Sequence, residues 1–91
     1  MKKAVITVVG HDTVGIIASV CTYLAEQNVN ILDISQTIVD GYFNMMMIAD
    51  VTEPKSDFLD IVTGLDEIGK KVGVMVHCQR EDIFDSMHRL S

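Results

Sequence analysis

Residues 30–51 read NILDISQTIVDGYFNMMMIADV, two strand-like runs joined by Asp40-Gly41. The first run alternates: Ile34, Gln36 and Ile38 fall on one side, and Asp33, Ser35, Thr37 and Val39 on the other. Asp40-Gly41 suits a tight hairpin because both residues tolerate positive φ. Tyr42 to Val51 then forms the return strand. A hairpin at this point excludes an all-parallel sheet and confines the fold to antiparallel or mixed arrangements.

On the N-terminal side, residues 4–9 (AVITVV) are apolar on both alternating faces apart from Thr7, as in a central strand. From Val14 the period changes. Val14, Ile17, Val20, Cys21, Leu24 and Ala25 recur at helical spacing, with Asp12 or Thr13 placed to cap the helix and Asn28 to end it. On the C-terminal side Pro54 breaks the chain and Ser56 opens a second helix as its N-cap. Phe58, Ile61, Val62, Leu65 and Ile68 form its stripe. Gly69 or Gly73 ends it, and residues 72–78 (VGVMVHC) make a fourth strand. A short amphipathic helix over about 81–90 follows, with Ile83, Phe84, Met87 and Leu90 on one side. The order βαββαβ predicts an α+β, ferredoxin-like domain: a four-stranded antiparallel sheet with two helices on one face, plus the short C-terminal helix. The whole span 1–91 reads as one domain with its core over about 4–80.

The formal charge of −6 disfavours nucleic acid, whose recognition rests on Lys and Arg neutralising phosphates. No apolar run approaches the roughly 18 residues of a membrane span. The N-terminal MKKAVITVVGHD is too short for a signal peptide and reads as a strand. Cys21 and Cys78 stand far apart, outside any CxxC pair, so a cytoplasmic protein with reduced thiols is expected.

The turn between the first strand and helix, VVGHDTVGII at residues 8–17, has the glycine spacing of a phosphate-binding loop. That chemistry needs Lys and then Ser or Thr after the second glycine. Gly15 is followed by Ile16 and Ile17, so the nucleotide reading fails. Two readings of the turn stand. In one, Gly10 and Gly15 let the backbone approach a ligand, the helix N-terminus offers N–H groups to a carboxylate, and Asp12 accepts an α-amino group. In the other, the segment is a tight turn in which Asp12 only caps the helix.

Little else points to chemistry. Met45, Met46 and Met47 point alternately to opposite faces in a strand and cannot converge on one metal. His77 and Cys78 diverge in the same way. His11 and Asp12 make half a metal site with no third ligand at a suitable spacing. Cys21 sits on an apolar stripe, as an inert thiol does. The loop lacks the arginine of an acylphosphatase and the CxxC of a copper chaperone of this shape. No paired acid and base emerges, so neither catalysis nor a cofactor is expected.

The run TVVGHDTVGIIASVCTYLAEQNVNILDISQTIVDGYFNMMMIADV, residues 7–51, resembles an ACT domain, the small-molecule-sensing module of amino-acid metabolism. The resemblance lies in D-x-x-G-I at Asp12–Ile16, N-I-x-D-I at Asn30–Ile34 and S-Q-T at Ser35–Thr37, and is strongest to the small ACT-domain proteins of bacteria and archaea. It implies an amino-acid ligand held between the loop of one subunit (Gly10, His11, Asp12, Thr13, Val14, Gly15, Ile16) and the start of the second strand of its dimer mate (Asn30, Ile31). Many regulatory ACT domains carry Pro where this chain has Val14.

A homodimer is also expected from the residues themselves. Strands one, three and four are apolar on both faces (Val5, Val8, Val9; Met45 to Met47; Val74 to Val76), while two helices cover only one. The second strand is an edge with no lysine or proline to block pairing. Regulatory output would pass through an unidentified partner protein or through oligomerisation. The alternative is an interaction module of the same fold without a ligand, in which Asp12 and Asn30 only cap and turn.

Overall fold

A computed structural model describes residues 1–11 and 14–83. Its elements are β1 (Lys3–His11), α1 (Ile16–Glu26), β2 (Asn30–Val39), β3 (Tyr42–Asp50), α2 (Phe58–Val72) and β4 (Val74–Arg80). The four strands form one antiparallel sheet in the order β2-β3-β1-β4. This is the ferredoxin-like arrangement expected from the hairpin and the two crossovers. A helical turn opens at residues 81–83, and the remainder of the expected C-terminal helix, with Phe84, Met87 and Leu90, lies outside the described residues.

The turn that decides the topology behaves as its composition requires. Asp40 has φ 52° and Gly41 φ 81°, the pair of positive values that matches the turn to strand twist. Helix α1 ends at Gln27, and Asn28 follows with φ 59°. The Val29 amide donates back to the Leu24 carbonyl at 2.9 Å, closing the last turn. Helix α2 ends at Gly73 (φ 82°), with Lys70 and Lys71 in its last turn against the helix dipole.

Several boundaries differ from expectation. Helix α1 begins at Ile16 rather than Val14, and its N-cap position is taken by Gly15, which has no side chain to cap with. Its buried residues are Ile16, Val20 and Leu24, whereas Val14 is fully exposed and Ile17 more than a third exposed. The two isoleucines are adjacent and equally apolar, so periodicity alone allowed either register. The N-cap of α2 is Asp57, not Ser56, and it makes no side-chain capping bond. Strand β4 starts two residues later than expected because Gly73 still belongs to the helix end.

The core lies between the sheet and the helices. Ala4, Ile6 and Val8 of β1, Phe43, Met45, Met47 and Ala49 of β3, and Val74, Val76 and Cys78 of β4 meet Ile16, Val20 and Leu24 of α1 and Ile61 and Leu65 of α2. Met45 and Met47 are fully buried in the core while Met46, between them, is exposed, the alternation a strand imposes. Strand β2 extends past the helices: Ile34 is 45 % and Ile38 57 % exposed although their cross-strand partners Met47 and Phe43 are buried. The helix-free face presents Val9, Met46 and Met75. No helix among the described residues is long and apolar enough to cross a membrane.

Candidate functional site

The two glycines of the β1–α1 turn serve different purposes. Gly10 faces Val74 across the β1–β4 ladder, and a β-carbon on Gly10 would fall 2.8 Å from the Val74 Cγ1. Gly15 has open space around it but a φ of 92°, a left-handed conformation that disfavours side-chain-bearing residues. Left-handed Gly15 directly precedes α1, so the first amide groups of the helix begin at the mouth of the turn. The Ser19 amide donates to the Gly15 carbonyl at 2.9 Å, the first bond of the helix. The amides before it have no intrahelical partner, and they are the groups an anion binds.

The other predicted residues divide by position. His11 ends β1 opposite Tyr42, and their rings stack with centroids 4.7 Å apart at 29°. Val14 projects fully into solvent. The Ile16 side chain is in the core, so it anchors the turn from below. Asp12 and Thr13 lie outside the described residues. Asn30 is the exposed first residue of β2, and Ile31 beside it is partly buried against the core.

Within one chain these two groups do not meet. Asn30 pairs with Asp50, and Asp50 pairs with Lys3 at the beginning of β1, whereas the turn follows the other end of that strand at Gly10 and His11. At about 3.3 Å per residue the separation along the sheet is roughly 23 Å. Asn30 instead borders a shallow cavity of about 440 Å³ with Asn28, Asp50, Thr52 and Glu53. The Asp50 carboxylate there accepts from both the hydroxyl and the amide of Thr52, and these bonds lower its pKa below the ordinary carboxylate value.

A larger cavity of about 670 Å³ lies at the same end of the sheet. It is enclosed by the start of β1, the β3–α2 connection and the end of β4. Sequence reading missed it because its walls come from three distant segments, and the signal was only the small number of basic residues in an acidic chain.

The thiols carry no sign of reactivity. Burial pushes the Cys78 thiol up to about 11 and raises that of Cys21 as well. His77 and Cys78 point to opposite faces, exposed and buried respectively. Among the described residues no three or more His, Cys, Asp or Glu side chains are grouped so as to hold a metal.

Residues 2–79 match the model of the ACT domain family. Over 90 residues the chain is 62 % identical to a UPF0237 protein of Bifidobacterium longum, covering 99 % of this chain and 100 % of that one. It is 47 % identical over 90 residues to a UPF0237 protein of the archaeon Methanocaldococcus jannaschii, again across 99 % of this chain and all of the relative. Among solved structures it is similar to an ACT domain protein from Streptococcus pneumoniae, with a TM-score of 0.80 and 39 % identity over 99 % of this chain and 98 % of that one. The chain therefore belongs to the ACT domain family, within its UPF0237 group of bacterial and archaeal proteins.

Proposed function

We propose that the protein is a regulatory sensor that binds an amino acid at the interface of a homodimer, between the β1–α1 turn of one copy and the start of β2 of the other. The observation that supports this most is the separation of the two predicted half-sites. A turn and an Asn30 at opposite ends of one sheet form a site only if a second copy reverses the direction of the sheet.

The exposed edge of β2 supplies a way to do so. Antiparallel pairing of two β2 strands over Asn30–Val39 sets Asn30 of the second copy opposite Val39. Val39 pairs with Tyr42 and Tyr42 with His11, so Asn30 of the second copy joins the row that ends at the turn. The same pairing covers part of Ile34 and Ile38, which the chain's own helices leave exposed. In such a site the α1 amides receive the ligand carboxylate, and Asp12 of one copy with Asn30 of the other receives its α-amino group. Regulatory output then passes to a partner protein, for which the exposed Val9, Met46 and Met75 offer an apolar surface.

Sedimentation velocity at micromolar concentration tests the assembly. The expected result is a dimer that Ile34→Lys in the edge strand splits into folded monomers. A parent protein that sediments only as a monomer would refute the shared site. In the dimer, Asn30→Ala should abolish ligand response and leave the sedimentation coefficient unchanged.

A further inference from the structure

The 670 Å³ cavity lies at the end of the sheet opposite the β1–α1 turn, and none of the residues assigned to the sensing site lines it. Its lining includes Lys2, Lys3, Lys55 and Arg80, four of the seven basic residues in a chain of formal charge −6. A volume of this size is within the range of small-molecule pockets, about 300–1,000 Å³. Three segments distant in sequence deliver these cations, so their gathering is a product of the fold.

The backbone beneath them is pinned. The Val51 amide donates to the Lys2 carbonyl at 2.8 Å, and the Lys55 amide to the Gln27 carbonyl at 2.9 Å. The Lys2 amide donates to the Thr52 hydroxyl at 3.0 Å. The ammonium groups above this frame are not neutralised in the same way. Arg80 has Asp82 at 3.6 Å, but Lys2, Lys3 and Lys55 form no ion pair among the described residues. Four basic side chains line the cavity against three carboxylates, Asp57, Glu81 and Asp82, so its formal charge is positive in an otherwise acidic chain and a bound anion is attracted to it. Asp57 and Phe58, where α2 begins without a side-chain cap, line the same space. Pro54, Val51 and Phe58 supply an apolar wall, and Asp57 and Glu81 supply acceptors for donor groups.

We infer that this cavity binds a small organic oxyanion, an organic phosphate or a dicarboxylate, with Lys2 and Lys55 as its principal counter-charges. Lysine serves such groups as a point charge without demanding one geometry. The apolar wall and the carboxylate acceptors favour an organic anion bearing hydroxyl or ammonium donors over a bare inorganic ion.

The test is a titration of the whole isotopically labelled protein, followed by amide NMR, with glycerol 3-phosphate, succinate and inorganic phosphate. Sodium chloride at matched ionic strength is the control. The expected result is saturable shifts at Lys2, Lys3, the 52–58 connection and Arg80 with glycerol 3-phosphate or succinate, whichever responds identifying the anion class. Lys2→Gln with Lys55→Gln, both exposed positions, should weaken that binding at least about tenfold. Lys70→Gln with Lys71→Gln, at the far end of α2, should leave it unchanged. Shifts no larger than those in sodium chloride, binding by inorganic phosphate alone, or equal losses in the two double variants would overturn the assignment.

Discussion

Gly10 lies directly across from Val74 in the β1–β4 ladder, so close that a β-carbon at Gly10 would reach within 2.8 Å of the Val74 Cγ1. The first glycine of the turn is therefore required by the sheet, and only the second by the turn itself. Gly10→Ala should destabilise the domain by about 1–3 kcal/mol through overpacking. Gly15→Ala meets no clash but must adopt a left-handed conformation, at a cost of roughly 1–2 kcal/mol. Adding Val74→Ala should recover part of the Gly10→Ala loss and none of the Gly15→Ala loss. A double-mutant cycle in urea reads the difference.

Helix α2 touches its neighbours through glycines. A β-carbon on Gly69 would approach the Val74 carbonyl oxygen to 2.7 Å, and one on Gly64 would collide with the Tyr23 ring. Alanine in a helix ordinarily gains about 0.5–1 kcal/mol over glycine, yet the backbone clash at Gly69 outweighs that gain. Gly69→Ala should lower stability by about 1–2 kcal/mol. Gly64→Ala should cost less, because Tyr23 can swing outward, and Tyr23→Leu should reverse its sign. Chemical denaturation of the three variants provides the comparison.

The two cysteines should differ in native-state reactivity because they differ in burial. With its thiol pushed up to about 11, Cys78 carries almost no thiolate at pH 8. Iodoacetamide should leave it unmodified in the native protein and label it promptly in denaturant. Cys21, raised in the same direction by burial and only partly covered, should react slowly but faster than Cys78. Peptide mass mapping after timed quenching checks the order.

Acid should loosen the start of β2. The Thr52 hydroxyl and amide lower the Asp50 pKa below its unfolded value. Their contribution is therefore complete above the ordinary carboxylate range and disappears as pH falls through the lowered value. Asp50→Asn should remove this dependence, flattening the stability profile below about pH 4. The profile near neutrality should keep its shape. Thermal unfolding from pH 2.5 to 7 makes the comparison.

Much of this architecture was legible in local pattern. The hairpin follows from Asp40-Gly41, and the extent of β2 from its alternation. Position, not residue type, escaped the sequence. Ile16 and Ile17 are equally good core residues, so the facing of α1 was settled by packing. Gly10 looked like a ligand-approach glycine because Val74, its reason, lies across the sheet and far along the chain. The exposure of Ile34 and Ile38 comes from how far the helices reach, which no periodicity encodes. Lys2, Lys3, Lys55 and Arg80 are too scattered in sequence to form a basic face and come together only when three segments close around one cavity.

Amino-acid sensing is read most directly by thermal unfolding at fixed protein concentration against each of the twenty amino acids. A ligand at 100 times its Kd stabilises by about 2.7 kcal/mol, which for a domain of this size raises Tm on the order of ten degrees. One amino acid, or a few chemically related ones, should produce such a rise, and Asn30→Ala should lose it. Unchanged melting across the whole panel would rule out amino-acid sensing at this interface.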